Sequence, residues 1–224
     1  MANLSTIKRT RGAFISFEGL DGAGKTTQIA LLTRWLDASG IPHITTREPG
    51  GTPLGVEIRA LLFHHPELVI TPLAEAFLFQ ADRAQHVATV IRPALSAGKL
   101  VITDRYFDSS IAYQGVARAV GAELVERLAL IATEGLVPDL TIYLDLDPTQ
   151  VRERTDTYRD HVGLREQQSR FDSETEQFHS RLREAFLSLA QEHTDRFKVI
   201  DARQSSEEIH RQIVSLVERL LITL

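Results

Sequence analysis

Five short apolar runs, rich in β-branched and aromatic residues, recur along the chain and have the length of buried β-strands. They cover residues 13–17, 43–46, 100–103, 140–146 and 197–200. The stretches between them carry helical patterns of apolar and polar positions. Strands that alternate with helices are typical of a parallel sheet covered by helices on both faces. The pattern therefore predicts an α/β fold with three layers and five parallel strands.

Local signals mark where several helices begin and end. Three dipeptides place a capping side chain before a proline at the first helical position: Thr52-Pro53, Thr71-Pro72 and Asp147-Pro148. Ser205 and Glu208 form a capping box, and Gly40 and Gly98 close the helices that precede the second and third strands. No repeat or linker divides the sequence, so we expect one domain over residues 1–224.

Composition narrows the class of protein. A chain of 224 residues with 43% hydrophobic content is long enough for one sizeable core. Its net charge of -5 provides no broad positive field, so we expect neither a nucleic acid nor a membrane as partner. The absence of cysteine excludes disulfides, thiolate zinc sites and a cysteine nucleophile, and it fits a cytoplasmic location.

A phosphate-binding motif directly follows the first predicted strand and opens a helix. It satisfies G-x-x-x-x-G-K-[ST] with Gly19, Leu20, Asp21, Gly22, Ala23, Gly24, Lys25 and Thr26. Its glycines let backbone N–H groups turn toward phosphate oxygens, and the helix adds its positive end. Lys25 would reach the β and γ phosphates of ATP, and the Thr26 hydroxyl would bind Mg2+. The alternative is a glycine-rich turn that binds nothing.

The P-loop alone does not distinguish kinases from other NTPases. Ras-type GTPases read guanine with N-K-x-D, but the only asparagine here is Asn3. The short chain also favours a small-molecule kinase over a mechanochemical ATPase. A regulatory ATPase stays open at this point.

Three further motifs accompany the P-loop. They are Thr46-Arg47-Glu48-Pro49-Gly50-Gly51-Thr52, the pair Phe79 and Arg83, and Asp104-Arg105-Tyr106 continued by Ser109-Ser110-Ile111-Ala112-Tyr113-Gln114. With the P-loop they resemble the bacterial thymidylate kinase family over most of the chain. The resemblance implies a P-loop fold with a mobile lid, ATP and dTMP as substrates, Mg2+ as cofactor and a homodimer.

The chemistry of the Asp104-Arg105-Tyr106 motif fits phosphoryl transfer. Asp104 ends an apolar run as a Walker-B acid would, and it is a candidate Mg2+ ligand. Arg105 offers a planar fork to the acceptor phosphate, although a surface ion pair between the two residues is the alternative. Phe79 and Arg83 lie four residues apart and so share one face of a helix.

The resemblance also implies roles in the acceptor site. Arg47 and Glu48 approach the 5'-phosphate, and which of them touches it stays open. Tyr113 lies under the deoxyribose, where ordinary packing is the alternative, and Gln114 belongs to the same site. Asp21 binds the 3'-hydroxyl.

For the base, the resemblance implies stacking on Phe79 and a hydrogen bond from Arg83 to a thymine carbonyl. By periodicity alone, Phe77 is an equal candidate for the inward face.

The predicted lid covers roughly residues 151–172. It contains Arg152, Arg154, Arg159, Arg165 and Arg170. Since residues 20–23 include no arginine, the chain resembles the bacterial subtype whose lid supplies the catalytic arginine. Arg154 and Arg159 are our candidates, with a solvated helix as the alternative. This segment departs from the compact basic run typical of the family. By resemblance, the adenine lies between the lid and Asp201, Ala202 and Arg203.

The sequence thus predicts phosphorylation of dTMP to dTDP with Mg-ATP. Two alternatives remain: a kinase for another acceptor such as dUMP, CMP or a nucleoside, and a P-loop regulatory ATPase.

Overall fold

A computed structural model describes residues 11–65, 67–151, 154 and 174–223. Its strands are β1 (Phe14–Glu18), β2 (His43–Arg47), β3 (Leu100–Asp104), β4 (Leu140–Asp145) and β5 (Phe197–Asp201). Its helices are α1 (Lys25–Ala38), α2 (Pro53–Phe63), α3 (Pro72–His86), α4 (Arg92–Ser96), α5 (Phe107–Ser110), α6 (Ala122–Thr133), α7 (Glu176–Glu192) and α8 (Ser206–Thr223). No helix in this part of the chain has the length and apolar character needed to cross a membrane.

The five strands form one sheet in the order β2-β3-β1-β4-β5, and all of their pairings are parallel. This confirms the predicted fold class and the number of strands. The strand ends differ from the prediction by one residue. Glu18 belongs to β1 because it continues the ladder opposite Tyr143, and β4 ends at Asp145 rather than at residue 146.

A hydrophobic core covers each face of the sheet. Along β1, Phe14 belongs to one core, and Ile15 and Phe17 belong to the other. α3, α6 and α7 contribute buried side chains to the first core, and α1 and α8 contribute to the second. The sheet is therefore the middle layer of three.

Most of the predicted helix signals have the expected structure. The Thr52 hydroxyl accepts a hydrogen bond from the Gly55 N–H at 2.9 Å, and the Ser205–Glu208 capping box forms in both directions. Thr71 differs, because its side chain makes no capping hydrogen bond. α3 begins there through its backbone, since Pro72 already presets a helical φ.

Two π-helical segments follow α3 and α5 and cover Val87–Ile91 and Ile111–Ala117. The second carries Tyr113 and Gln114, both almost fully buried. Such segments often occur at functional sites, because an extra residue in a turn redirects the side chains that follow.

Candidate active site

The candidate site lies at the carboxyl ends of adjacent strands. β3 has β2 on one side and β1 on the other, and the register aligns Asp104 with Arg47 and with Phe17. The P-loop, residues 46–52 and the turn after β3 therefore meet at one edge. Ligands of open parallel sheets bind at this edge.

The P-loop has the backbone shape that phosphate binding requires. Gly22 and Gly24 have φ of 90° and 102°, a region that side chains disfavour. No side chain caps the first turn of α1, so its backbone N–H groups can serve a ligand. Thr26 is exposed in that turn.

Lys25 is buried, and its ammonium donates to the carbonyl oxygens of Gly19 and Leu20, each at 3.1 Å. Burial lowers the pKa of Lys25 below its usual value, and the neighbouring Arg105 charge adds to the effect. The ammonium is thus held against the loop, at the place where anionic phosphate would compete for it.

Arg105 connects the P-loop with Tyr113, which was predicted to belong to the acceptor site. Its guanidinium donates to Asp21 at 2.6 Å and to the Tyr113 hydroxyl at 3.2 Å, and it lies 5.1 Å from the centre of the Tyr113 ring. Partial burial acts to raise the pKa of Asp21, but the Arg105 and Lys25 charges outweigh it and hold that pKa well below its usual range. The structure therefore brings together four predicted site residues from different parts of the chain.

Glu18 is a site residue that the sequence did not single out. It is fully buried, and its two carboxylate oxygens accept from the Tyr106 N–H at 2.8 Å and the Ser109 hydroxyl at 2.5 Å. Ser109 in turn accepts from Arg105 at 2.9 Å. Burial, with the Asp108 charge, raises the pKa of Glu18 to about 8. The sequence could have pointed to Glu18, because it is an acidic residue at the end of an otherwise apolar strand.

Asp104 offers an oxygen to a cation. Its Oδ1 is buried and has no hydrogen-bond partner among the described residues. Mg2+ at a phosphotransfer site prefers a few protein oxygens together with phosphate and water. An orphaned carboxylate oxygen and the exposed Thr26 hydroxyl fit that requirement. In the described part of the chain, no group of three or more acidic, histidine or cysteine side chains is arranged so that it could hold a metal ion by itself.

Residues 46–52 separate into an exposed arginine and a buried glutamate. Arg47 is exposed at the end of β2, whereas Glu48 is 4% exposed. The Glu48 carboxylate accepts from Arg83 Nε at 2.8 Å and lies 2.9 Å from His86 Nδ1. Of the two residues predicted to approach the acceptor phosphate, Arg47 alone is open to solvent.

Arg59 on α2 brings another guanidinium to this edge and belongs to no motif. It donates to the Pro49 carbonyl oxygen at 3.1 Å and lies 5.1 Å from the Phe63 ring centre. Burial and the Arg47 charge lower the pKa of Arg59, with Asp21 and Asp104 acting in the opposite direction. An isolated arginine within a helix carries no signal in a single sequence.

The two residues predicted to contact the base, Phe79 and Arg83, lie on the inner face of α3. Phe79 is 9% exposed and Phe77 is 53% exposed, so Phe79 is the inward aromatic residue. Arg83 is 1% exposed. Gln114 is also buried and donates to Glu75 at 2.8 Å.

On the side predicted for adenine, Arg154 donates to the Ala202 carbonyl oxygen at 2.8 Å. Asp201 pairs with Arg203 at 2.7 Å. Arg183 on α7, which the sequence did not single out, forms a two-pronged contact with Asp145 at 2.7 and 3.0 Å. Arg159 and the rest of the predicted lid after residue 154 lie outside the described residues.

Comparison with known proteins determines the family. A family model described as thymidylate kinase matches residues 17–213. The chain belongs to the thymidylate kinase family. A thymidylate kinase from Leifsonia xyli subsp. xyli is 52% identical over 202 residues, which cover 90% of this chain and 92% of the relative. A thymidylate kinase from Clavibacter michiganensis subsp. michiganensis is 48% identical over 210 residues, with 94% and 96% covered.

The crystal structure of thymidylate kinase from Ehrlichia chaffeensis aligns with a TM-score of 0.73 at 31% identity. The alignment covers 92% of this chain and 98% of that one. These findings confirm the predicted family and fold. Thymidylate kinases are nucleoside monophosphate kinases, so the chain is a phosphotransferase.

Proposed function

We propose that the chain transfers the γ-phosphoryl group of Mg-ATP to the 5'-phosphate of dTMP. An acceptor phosphate oxygen bonds to the γ-phosphorus while the bond from that phosphorus to the β-γ bridging oxygen breaks, giving dTDP and ADP. The acceptor is already anionic, so the step needs no general base. The proposal rests mainly on one observation. At one edge of the sheet Asp21 contacts both Lys25 and Arg105, and Arg105 also contacts Tyr113.

At the ATP end, the P-loop N–H groups and Lys25 would bind the phosphates. Thr26 and Asp104 would hold Mg2+, which when bound neutralises charge on the β and γ oxygens. Lys25 now donates to two backbone carbonyl oxygens, and these bonds position its ammonium within the loop.

At the acceptor end, Arg105 and Arg47 would bind the 5'-phosphate, and Arg59 adds positive charge nearby. Asp21 would accept from the 3'-hydroxyl, and its low pKa keeps it an acceptor. Tyr113 and Gln114 would line the sugar side. Tyr113 is buried with its ring beside the Arg105 guanidinium, and by family resemblance it would disfavour a 2'-hydroxyl on the acceptor sugar.

Arg154 and Arg159 remain our candidates for the charge that stabilises the transferring phosphoryl group. The contact between Arg154 and the Ala202 carbonyl also supports a second role, in which Arg154 orders the loop beside the adenine.

A homodimer in the cytoplasm, built from a single domain of residues 1–224, completes the proposal. α3 packs against both α2 and α6. Each of these helices exposes a pair of apolar side chains on one face: Leu54 and Leu61, Leu73 and Phe77, Leu124 and Ile131. Exposed apolar surface on neighbouring helices is typical of a dimer interface.

A coupled ADP-release assay with Mg-ATP and a panel of monophosphates tests the function. We expect strong stimulation by dTMP over dUMP, CMP and AMP, and loss of turnover in Lys25→Ala. Stimulation by a different monophosphate would retain the mechanism and overturn the substrate. ATP hydrolysis independent of any acceptor would instead favour the regulatory ATPase.

A further inference from the structure

Arg83 is almost completely enclosed, and most of its hydrogen-bonding capacity is already used. Nε donates to Glu48 at 2.8 Å, Nη1 donates to Gln80 at 2.7 Å, and Nη2 donates to the Tyr106 carbonyl and the Ser110 hydroxyl at 3.3 and 3.1 Å. A guanidinium has five N–H groups. One N–H on Nη1 therefore has no partner among the described residues.

Glu48 is the anion that compensates this buried charge, and it is held on both sides. Its second oxygen lies 2.9 Å from His86 Nδ1, and its backbone N–H donates to the Asp104 carbonyl at 3.0 Å. Because a carboxylate only accepts, His86 Nδ1 carries the proton in this contact. His86 Nε2 lies 2.6 Å from the Thr46 hydroxyl. The imidazole is thus fixed at both nitrogens.

The turn of α3 that carries Arg83 and His86 also contacts residues 46–52 at a second point. Asp82 Oδ1 accepts from the Gly50 N–H at 3.1 Å. A Cβ on Gly55 would come within 2.2 Å of that oxygen, and one on Gly51 within 2.5 Å of His86 Nε2. The close approach of residues 50–55 to α3 therefore depends on these glycines.

A buried ion pair of this kind is weak evidence for stability, because desolvation of both charges offsets their attraction. It has a clearer value for recognition. With four N–H groups committed, the guanidinium plane cannot rotate, and its remaining N–H points in one direction. A buried donor in a fixed direction rejects a ligand that offers no acceptor by large factors.

We propose that Glu48 and His86 are positioning residues for base recognition. They fix Arg83 so that its remaining Nη1 N–H is left for the carbonyl at position 4 of the acceptor pyrimidine. We call Arg83 together with Glu48 and His86 the clamp. Cytosine presents an amino group at position 4 and cannot accept a hydrogen bond there, so the clamp sets the preference for thymine over cytosine. Glu48 then acts through Arg83 rather than on the acceptor phosphate. The inference rests on the proposed function, since it requires a pyrimidine nucleotide as acceptor.

Variants at His86 test the clamp, with kcat/KM measured for dTMP and dCMP. His86→Leu removes the hydrogen bond to Glu48, and we expect the dTMP preference to fall about tenfold or more. His86→Asn retains an amide N–H close to the position of Nδ1–H, and we expect it to restore most of the preference. Glu48→Gln removes the anion, and we expect a larger loss. The KM for ATP is expected to stay unchanged in all three.

The matched control is His65→Leu, because His65 makes the same contact to Glu67 at 2.8 Å on an exposed surface. We expect it to behave as wild type. An unchanged preference for dTMP over dCMP in His86→Leu would overturn the proposal. If activity toward both nucleotides fell equally, Glu48 and His86 would have only a structural role. If His86→Leu does not fold, His86→Asn and Glu48→Gln decide in the same way. Failure of the proposed function would appear separately, in the wild-type arm, as absence of dTMP turnover.

Discussion

Arg105 occupies a left-handed backbone conformation, with φ of 69°, which non-glycine residues seldom adopt. The neighbouring contacts explain how it persists. Glu18 accepts the Tyr106 N–H, and the Thr103 hydroxyl donates to the Arg105 carbonyl at 2.9 Å. A local conformation of this kind is retained where the surrounding structure determines it, and such residues cluster at functional sites.

Replacing Arg105 with lysine tests the value of its planar fork. One ammonium cannot make the contacts to Asp21, Ser109 and Tyr113 in the same geometry. We expect kcat/KM for dTMP to fall by about 100-fold while the KM for ATP changes little. Arg127→Lys, at an exposed position on α6, is the control and should retain wild-type kinetics. Equal loss in both variants would contradict the role.

Glu18 leads to a prediction about pH and stability. Its pKa is raised to about 8 in the folded chain, so the stability it contributes is present at low pH and is lost as the pH rises through that value. Glu18→Gln does not ionise. Between about pH 5 and about pH 9, its free energy of unfolding should therefore fall less than that of wild type, by about 4 kcal/mol.

Urea unfolding of both proteins across this pH range measures the difference. Asp82, whose pKa is raised to about 6 by burial and by the Glu48 charge, titrates in both proteins and cancels. The same variant should raise the KM for dTMP, because the glutamine NH2 group cannot accept from the Ser109 hydroxyl and the turn that carries Arg105 loses one of its two contacts to residue 18. Parallel stability curves would refute the assigned pKa of Glu18.

At the scale of elements, α2 and α3 begin with the same Thr-Pro signal but use it differently. Thr52 caps α2 through its hydroxyl, whereas Thr71 makes no side-chain cap to α3. A threonine side chain contributes to helix stability only where it satisfies an orphan N–H group of the first turn.

The two threonines therefore form a matched pair for mutation. Thr52→Ala should lower the free energy of unfolding by about 1 kcal/mol, and Thr71→Ala by about 0.2 kcal/mol or less. Thermal or urea unfolding of the two variants provides the comparison. A similar cost at both positions would show that the hydrogen bond to Gly55 is not the source of the effect.

At the scale of the whole molecule, the apolar pairs on α2, α3 and α6 are the basis for the proposed dimer. One of these apolar side chains is Phe77 on α3, which is 53% exposed. We expect Phe77→Glu to convert a dimer into a monomer in sedimentation velocity, because an unpaired charge in an apolar interface is strongly disfavoured. Ile222→Glu is the control, since Ile222 is 59% exposed on α8, which packs on the other core. A monomeric wild type would remove the proposal.

The sequence by itself determined the architecture and the family of this protein. Strand and helix periodicity, proline and glycine boundaries, and the P-loop are local patterns, and each depends on residues within a few positions of one another. Which strands lie next to one another is a different matter, because the order β2-β3-β1-β4-β5 is seen only in the folded sheet.

Only the tertiary structure decided what several site residues contact. Glu18 meets Ser109 across 91 positions, and Glu48 meets Arg83 across 35. Periodicity left Phe77 and Phe79 equivalent, and the packing of α3 into the first core placed Phe79 inside. The physical reason is that burial and long-range hydrogen bonds arise when separate elements pack together, so the same glutamate reads as a surface acid in sequence and becomes a buried anchor in the fold.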